Sequence, residues 1–538
     1  LIDKETGEPL IGCNIIIENT YLGTSSNEKG EYVLLNIPPK SYSIRFEMIG
    51  YKKLVNEGVT IISDKTTSLN GELVSSVIAG EEVVVVAEKK LIQFDVTQSE
   101  AIITSEELEG MPVTEVSEVL RLQGGVTVDS DGGIHMRGGR TSEVSYMVDG
   151  VPMSDLYDGG IGVQIENDNI QELQVISGTF NAEYGRALTG VVNMVTKDGG
   201  NQFEGSLHTY AGDYQSSDKA YNNLNNLNIE DDYSVSASLS GPILKDKITF
   251  YSSGRVNQSK GWLNGLQTFT IYGDTIFNDQ NNNRYLDGNE KQKDPYYKGL
   301  NWHSSWSSQN KITFNILKGT TFKINTILNS RESQDYNFAL QLLEDAQITN
   351  FNRGRFLGLS ISHTLSPTSF VQFNVSENKY NYESYLFEDP LDNRYITPDS
   401  LFLARLENRI PDHIIEQYGD QVQYFPAYSL YRAGVDNRRF ERETKTNNYK
   451  LDFTSQVNKY NQIKFGLDFS SHSLMLDKYS LLDSTLTDQV YTPFIPDKDS
   501  FTRSYYVHKP TEFAIYAQDK IEYGDMIINL GLRYESFN

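Results

Sequence analysis

The chain has 538 residues, a formal net charge of -25 and a single cysteine. This length calls for two or three folded units, a lone cysteine excludes an intrachain disulfide, and such an excess of carboxylates, with no clustered Lys and Arg face, excludes nucleic acid as a partner. No apolar run reaches the roughly 18 residues of a spanning helix. That leaves a membrane barrel open, since barrels cross with alternating strands. The motifs H-E-x-x-H, G-x-S-x-G and the P-loop are absent and the histidines stand singly, so no enzyme is expected.

Residues 1–78 read as short β-rich runs (CNIIIEN, GTSSNEKGEYVLLNIPP, SYSIRFEMIGY, EGVTIIS) with turn signals at Asn27 to Gly30 and at Pro38-Pro39. That spacing suits a small β-sandwich. The residues before Cys13 are polar where a lipoprotein processing site needs an apolar stretch, so Cys13 reads as a small buried strand residue. The pattern is already under way at Leu1, and we expect a leader to have preceded it. Residues 79–91 form a linker carrying Glu82, Val83, Val84, Val85, Val86 and Ala87. Flanked by acids and lysines, this run suits an extended segment that adds edge-to-edge to a partner strand, or else a strand docked on the first module.

Residues 92–200 read as a compact α/β unit. Thr104 and Glu107 have capping-box spacing, Val116, Val119 and Leu120 mark the buried face of a second helix, and Val126 to Asp131 reads as strand and turn. Asp149-Gly150 between apolar runs makes 144–153 a hairpin, because a two-residue primed turn needs positive φ at both central positions. Leu173 and Val175, then Val191, Asn193 and Val195, alternate. Tyr184-Gly185 and Thr189-Gly190 break the runs where backbone must turn or approach another backbone closely. Arg137 and Arg186 sit in the tightest glycine-rich segments and need either carboxylate partners or solvent.

From 201 to 538 the period is 2. Val371, Phe373 and Val375 oppose Gln372, Asn374 and Ser376; Leu451, Phe453 and Val457 oppose Lys450, Asp452 and Gln456; Ile463, Phe465, Leu467 and Phe469 oppose Lys464, Asp468 and Ser470; Ile528, Leu530, Leu532 and Tyr534 oppose Asn529, Gly531, Arg533 and Glu535. Short connections near 241–246, 318–319, 366–367, 458–461 and 523–526 alternate with long ones near 258–305, 332–354, 383–445 and 473–510. Soluble sheets also alternate, but short turns on one side and long loops on the other are the outer-membrane pattern. Roughly eleven strands of about 10 residues fit, the length a tilted membrane strand needs. Plugged barrels close with about 22, so the chain is expected to stop in mid-barrel. The aromatic residues of 383–445 (Tyr385, Phe387, Tyr395, Phe402, Tyr418, Tyr424, Phe425, Tyr428, Tyr431) read as girdle and loop-core packing, with sugar stacking as the sharper alternative.

Two resemblances sharpen this outline. Asp3, Thr6 to Leu10, Gly12, Gly23-Thr24, Gly30, Tyr32 and Gly50-Tyr51 resemble a carboxypeptidase regulatory-like domain, with Cys13 where a small residue is usual; no catalysis or zinc site carries over. Arg137-Gly138, Asp149-Gly150-Val151-Pro152, Tyr184-Gly185-Arg186, Gly190, Val192-Asn193 and Thr196-Lys197, in this order, look like the plug domain of TonB-dependent outer-membrane receptors. The resemblance implies a mainly β chain: an N-terminal β-sandwich, an α/β plug and the first half of an antiparallel transmembrane β-barrel. It also implies outer-membrane location with the N-terminal domain and plug on the periplasmic and lumen side, and Glu82 to Ala87 as a TonB box. TonB and its inner-membrane energising complex then become partners for uptake of a bulky extracellular nutrient, an oligosaccharide, a peptide or a metal chelate. The N-terminal module leans toward the SusC-like branch that imports oligosaccharides or peptides, with a SusD-like surface lipoprotein as a further partner. A non-transporting surface adhesin or assembly scaffold is the rival reading.

No cofactor is required, but a structural calcium site is a candidate at 279–290, DQNNNRYLDGNE. Asp279, Asn281, Asn283, Asp287 and Glu290 fall at positions 1, 3, 5, 9 and 12 of an EF-hand-type loop and the carbonyl of Tyr285 at 7. Arg284 replaces the usual turn glycine. A solvated Asn/Asp-rich loop tip is the alternative.

Overall fold

The computed structural model describes the chain except residues 21, 64, 77–81, 87–98, 112, 114, 130–131, 179, 219–220, 272–296, 344, 396–429, 432–433, 484–492 and 524–525. The first module is a five-stranded sheet in the order β2-β1-β3-β4-β5, from β1 (Asn14–Ile17), β2 (Gly23–Ser25), β3 (Lys40–Glu47), β4 (Lys53–Ile61) and β5 (Glu82–Val86). Cys13, Ile15, Ile17, Ile44, Phe46 and Val59 form its core, shared with Leu73 of the small parallel pair Ile2–Asp3 and Glu72–Leu73. The run after Gly30 differs from expectation. It forms no ladder strand, yet Tyr32, Leu34 and Ile37 still pack on the core, and Asn36 at φ 58° breaks the extended backbone before Pro38.

The central unit is built from β6 (Glu100–Thr104), α1 (Ser105–Glu109), α2 (Val116–Arg121), the hairpin β7 (Val126–Val128) and β8 (Ile134–Met136), β9 (Val144–Val148), β10 (Val151–Pro152), β11 (Ile170–Ile176) and β12 (Gly190–Thr196). Its main sheet runs β10-β9-β12-β11-β6, with β9 and β12 parallel. Glu107 caps α1 by accepting from the Thr104 N–H at 3.1 Å, and Val116, Val119 and Leu120 are buried. The hairpin turn has Asp149 at φ 49° and Gly150 at φ 78°, the paired positive values a primed turn requires. The alternation in β11 and β12 does not leave one face wet: nearly every residue of both is buried. One face packs on the helices through Leu173, Val175, Val192 and Met194, the other on Met147, Tyr184 and Ile176 with Val191.

The third unit is a twelve-stranded antiparallel sheet formed by β13 (Glu204–Gly212), β14 (Asp232–Leu244), β15 (Ile248–Ser259), β16 (His303–Leu317), β17 (Thr320–Ser333), β18 (Thr349–Ser366), β19 (Ser369–Tyr385), β20 (Arg438–Gln456), β21 (Asn461–Ser480), β22 (Arg503–His508), β23 (Thr511–Tyr523) and β24 (Met526–Phe537). β22 and β23 both pair with β21 and continue one another across Pro510, so the sheet has eleven strand positions. Strands along the path are 9 to 20 residues long, and all but the first exceed the expected ten, because on the long-loop side they run on past the apolar band. On β20 the buried side chains are Arg442, Thr444, Thr446, Asn448, Lys450, Asp452 and Thr454, while Tyr449 and Leu451 are exposed. Phe465, Phe469, Leu530 and Leu532 are likewise exposed. Water would expel such a face; hydrocarbon accepts it. No helix among the described residues is long and apolar enough to cross a membrane.

Candidate functional site

The polar face of the large sheet holds the central unit, and the seam between them is built mostly from charged and amide side chains, with Ile327 of β17 and Phe356 of β18 buried in the apolar cluster of the central unit. At its lower end, toward the short turns, Asp149 accepts from the Thr196 N–H at 2.9 Å and from the Thr196 hydroxyl at 2.8 Å. The wall joins there: Asn325 of β17 donates to Asp149 at 3.1 Å, and the Lys311 ammonium of β16 lies 3.2 Å from it. Lys311 also lies 3.1 Å from Asp198, which Lys323 approaches at 2.6 Å. Burial acts to raise the Asp198 carboxyl, but Lys311 and Lys323 outweigh it and hold the group below the usual carboxylate range. Lys450 of β20 donates to the carbonyl of Gly150 at 3.3 Å. The Asp149-Gly150 turn is thus both the hairpin that the sequence predicts and a point of attachment to three strands of the wall.

A second patch gathers Glu183, Gly185 and Arg186. Glu183 pairs with Lys464 and Arg186 with Glu512, and Asn529 donates to Asn181 at 2.6 Å. A Cβ at Gly185 would meet the Arg533 guanidinium and the Glu535 carboxylate, and one at Gly190 the Met136 sulfur, so a larger residue at either position would have to push those side chains aside. Both close approaches are to side chains, not to the backbone that the sequence reading anticipated. The expected partnering of plug arginines divides: Arg186 meets a wall carboxylate, whereas Arg137, at φ 49° beside Gly138, lays its guanidinium against Gly178 of its own unit. A third patch anchors the middle, where Arg255 lies 2.8 Å from Glu166 and Ser307 donates to the same carboxylate at 2.9 Å.

At the long-loop end, Arg442 near the start of β20 pairs with Asp155 at 3.2 Å and Asp158 at 2.7 Å on the apical loop of the plug. Tyr157, Tyr380 and Tyr382 ring its guanidinium at 4.5, 5.2 and 5.5 Å from their centroids. Burial drives the Asp155 carboxyl upward against the pull of Arg442. Tyr157 and Asp158 remain open to solvent. Farther out, Phe387, Tyr395 and Val435 form a loop core with Tyr431 packed on it, and Tyr385 stacks on Phe351 at 4.7 Å. For these four aromatics the packing reading holds; Phe402, Tyr418, Tyr424, Phe425 and Tyr428 lie outside the described residues.

The valine run does not stand isolated in a linker. β5 pairs in parallel with β4, from Lys53 opposite Glu82 to Glu57 opposite Val86, so it is docked on the first module. Val83, Val84 and Val85 expose their side chains, and β5 is the end strand of its sheet; Ala87 lies outside the described residues. The module itself is tied to the plug and the lower rim. Ser63 N–H donates to Glu172 at 3.2 Å, Lys65 pairs with Glu100, Asn36 donates to Ser362 at 2.7 Å, and Lys40 lies 3.6 Å from Glu204. The candidate calcium stretch, Asp279 to Glu290, lies outside the described residues.

Sequence reading missed Lys311, Asp198, Glu512, His472, Arg442 and Asp155 as site residues. Their signal was present for the wall members, since each is charged or titratable on the polar side of an alternating strand, but nothing local names the partner.

A family model for the CarboxypepD_reg-like domain matches residues 1–85, and one for the TonB-dependent Receptor Plug Domain matches 93–192. The TonB-dependent transporter Oar of Myxococcus xanthus is 26% identical over 249 residues, 42% of this chain and 23% of that protein. The probable TonB-dependent siderophore receptor PirA of Acinetobacter baumannii is 26% identical over 202 residues, 34% of this chain and 25% of that one. Among solved structures, the outer membrane transporter YddB from Escherichia coli superposes with a TM-score of 0.57 at 14% identity, covering 82% of this chain and 56% of that one. The ferric citrate transporter FecA, unliganded, gives 0.55 at 13%, covering 82% and 57%. These two share the fold. The chain spans about a quarter of the length of the curated relatives and just over half of the solved chains.

Proposed function

We propose, from the plug-domain match over residues 93–192 and the shared fold, that the chain is a TonB-dependent receptor that takes part in energised uptake of a bulky nutrient across the outer membrane. The ligand settles on the long-loop side above Arg442, Tyr157, Tyr380 and Tyr382. TonB, driven by its inner-membrane complex, adds a strand to the free edge of β5 and displaces the plug. The observation that carries this reading is the polar seam. Ion pairs and amide contacts to Asp149, Glu183, Arg186 and Asp155 exchange readily for contacts with water, so a plug held this way moves while uncovering little apolar wall surface, chiefly Ile327 and Phe356. A continuous apolar weld, beyond the two wall residues that meet the plug core, would argue the opposite.

The substrate class is a metal chelate, an oligosaccharide or a peptide. The name of the Acinetobacter relative, a siderophore receptor, supports the chelate. The test of the strand-addition step is Val84→Pro, which removes a main-chain donor from β5. In cells carrying the complete receptor, uptake of a radiolabelled nutrient should fall to the level of a TonB-deleted strain, while binding to the cell surface is retained. Normal uptake by the variant overturns the role of β5.

A further inference from the structure

We propose that His472 is a proton-sensing positioning residue for the tie between Arg186 of the plug and Glu512 of the wall. Its side chain is fully enclosed, with Nε2 3.7 Å from Glu512 Oε1. Nε2 also lies 3.2 Å from Arg186 Nη2, and Nδ1 2.9 Å from the Thr446 hydroxyl. A guanidinium only donates hydrogen bonds, so the contact with Arg186 requires an unprotonated Nε2. The ring proton therefore sits on Nδ1 and points to Thr446. In this neutral form the imidazole and the Glu512 carboxylate hold the guanidinium from two sides.

A second proton reverses the contact. Nε2 stops accepting, a cation faces a cation at hydrogen-bond distance, and one carboxylate has two positive groups to satisfy. The surrounding charges do not absorb the change. Thr446 of β20 is neutral, and the next carboxylates, Asp468 on β21 and Glu535 on β24, already face Arg533 at 3.6 and 2.5 Å. The wall is also interrupted opposite this residue: His472 N–H donates to the Pro510 carbonyl at 3.0 Å in the gap between β22 and β23. Arg186, for its part, sits at φ 57°, a strained backbone for a side chain with a Cβ, which the contacts of its head group help to hold in place. Just beyond it, the N–H groups of Leu188 and Thr189 donate to the Glu143 carbonyl at 3.0 and 3.1 Å and report on whether the segment holds. This device acts without ligand and without TonB, so it stands or falls separately from the uptake reading.

The experiment is hydrogen–deuterium exchange of the complete receptor in detergent micelles, following the amides of 184–190 in wild type, His472→Gln and Glu512→Gln. Comparing variants at the same pH cancels the intrinsic pH dependence of exchange. Glutamine keeps an acceptor for Arg186 and cannot titrate in this range. At about pH 7.5 the wild type and His472→Gln should exchange alike, and at about pH 5 the wild type should exchange at least about ten-fold faster than His472→Gln. Equal exchange of the two at about pH 5 overturns the proposal. So does acceleration in both that disappears only in Glu512→Gln, which would make the carboxylate the sensor. Should His472→Gln fail to insert, the wild type alone decides: protection factors that stay flat between the two pH values refute the switch.

Discussion

The plug and the wall that holds it are both made of alternating strands, and they bury opposite halves of the alternation. In the plug, Leu173, Val191, Val192 and Met194 are sealed inside; in the wall, Asn448, Lys450 and Asp452 are inside, and Tyr449, Leu451 and Phe469 face out. Sequence period alone fixes which residues share a face. What lies against each face, water, hydrocarbon or another protein unit, decides which face is buried. The plug is the harder case, since β11 and β12 are covered on both sides by unlike neighbours, helices on one and glycine-rich loop on the other.

Three substitutions put numbers on this contrast. The largest effect belongs to the plug core: Leu173→Ala should cost about 2 to 5 kcal/mol, because the vacated volume cannot be refilled. The same truncation at Leu532, 84% exposed on the wall, should cost far less, read by urea titration of each variant; equal costs would erase the distinction between the two regions. Next comes charge on the wall. Phe373→Arg should lose about 2 to 4 kcal/mol of folding free energy into bilayers, whereas Gln372→Arg, on the wet side, should be tolerated. Asn374 is unsuitable as the tolerant control, since it is 5% exposed and accepts a hydrogen bond from Gln372. The smallest effect lies above the apolar band, where Lys379 and Glu443 pair at 2.7 Å with both side chains near one-third exposed. Lys379→Ala should change stability by about 0.2 to 1 kcal/mol in the same assay, and a loss as large as that of Phe373→Arg would place this collar inside the hydrocarbon.

Much of this architecture was legible from local pattern. Strand period, alternating loop lengths and the Asp149-Gly150 turn each depend on neighbours in sequence, and each is recovered in the structure. What could not be read is long-range choice of partner. Nothing in the valines of Glu82 to Val86 selects Lys53 to Glu57 as their ladder, because a short apolar run carries no register. Lys450 and Lys464 were assigned to the polar face, but their partners, Gly150 and Glu183, lie about 300 residues away in the chain. Strand length was underestimated for a related reason: above the membrane the outward face turns to Glu377, Lys379 and Lys445, and a pattern of polar on polar no longer looks like a strand.

The parallel ladder between β4 and β5 has a mechanical consequence. Tension along the axis of β5 loads its inter-strand bonds in shear, all together, whereas tension across the sheet peels them one after another. A peeling load separates the strand and leaves the first module on the rim. A shearing load carries the module along, and with it the Lys65–Glu100 pair and the Ser63 contact to Glu172 that join the module to the plug sheet. The angle of the load, as much as its size, thus selects which joint of the molecule opens first.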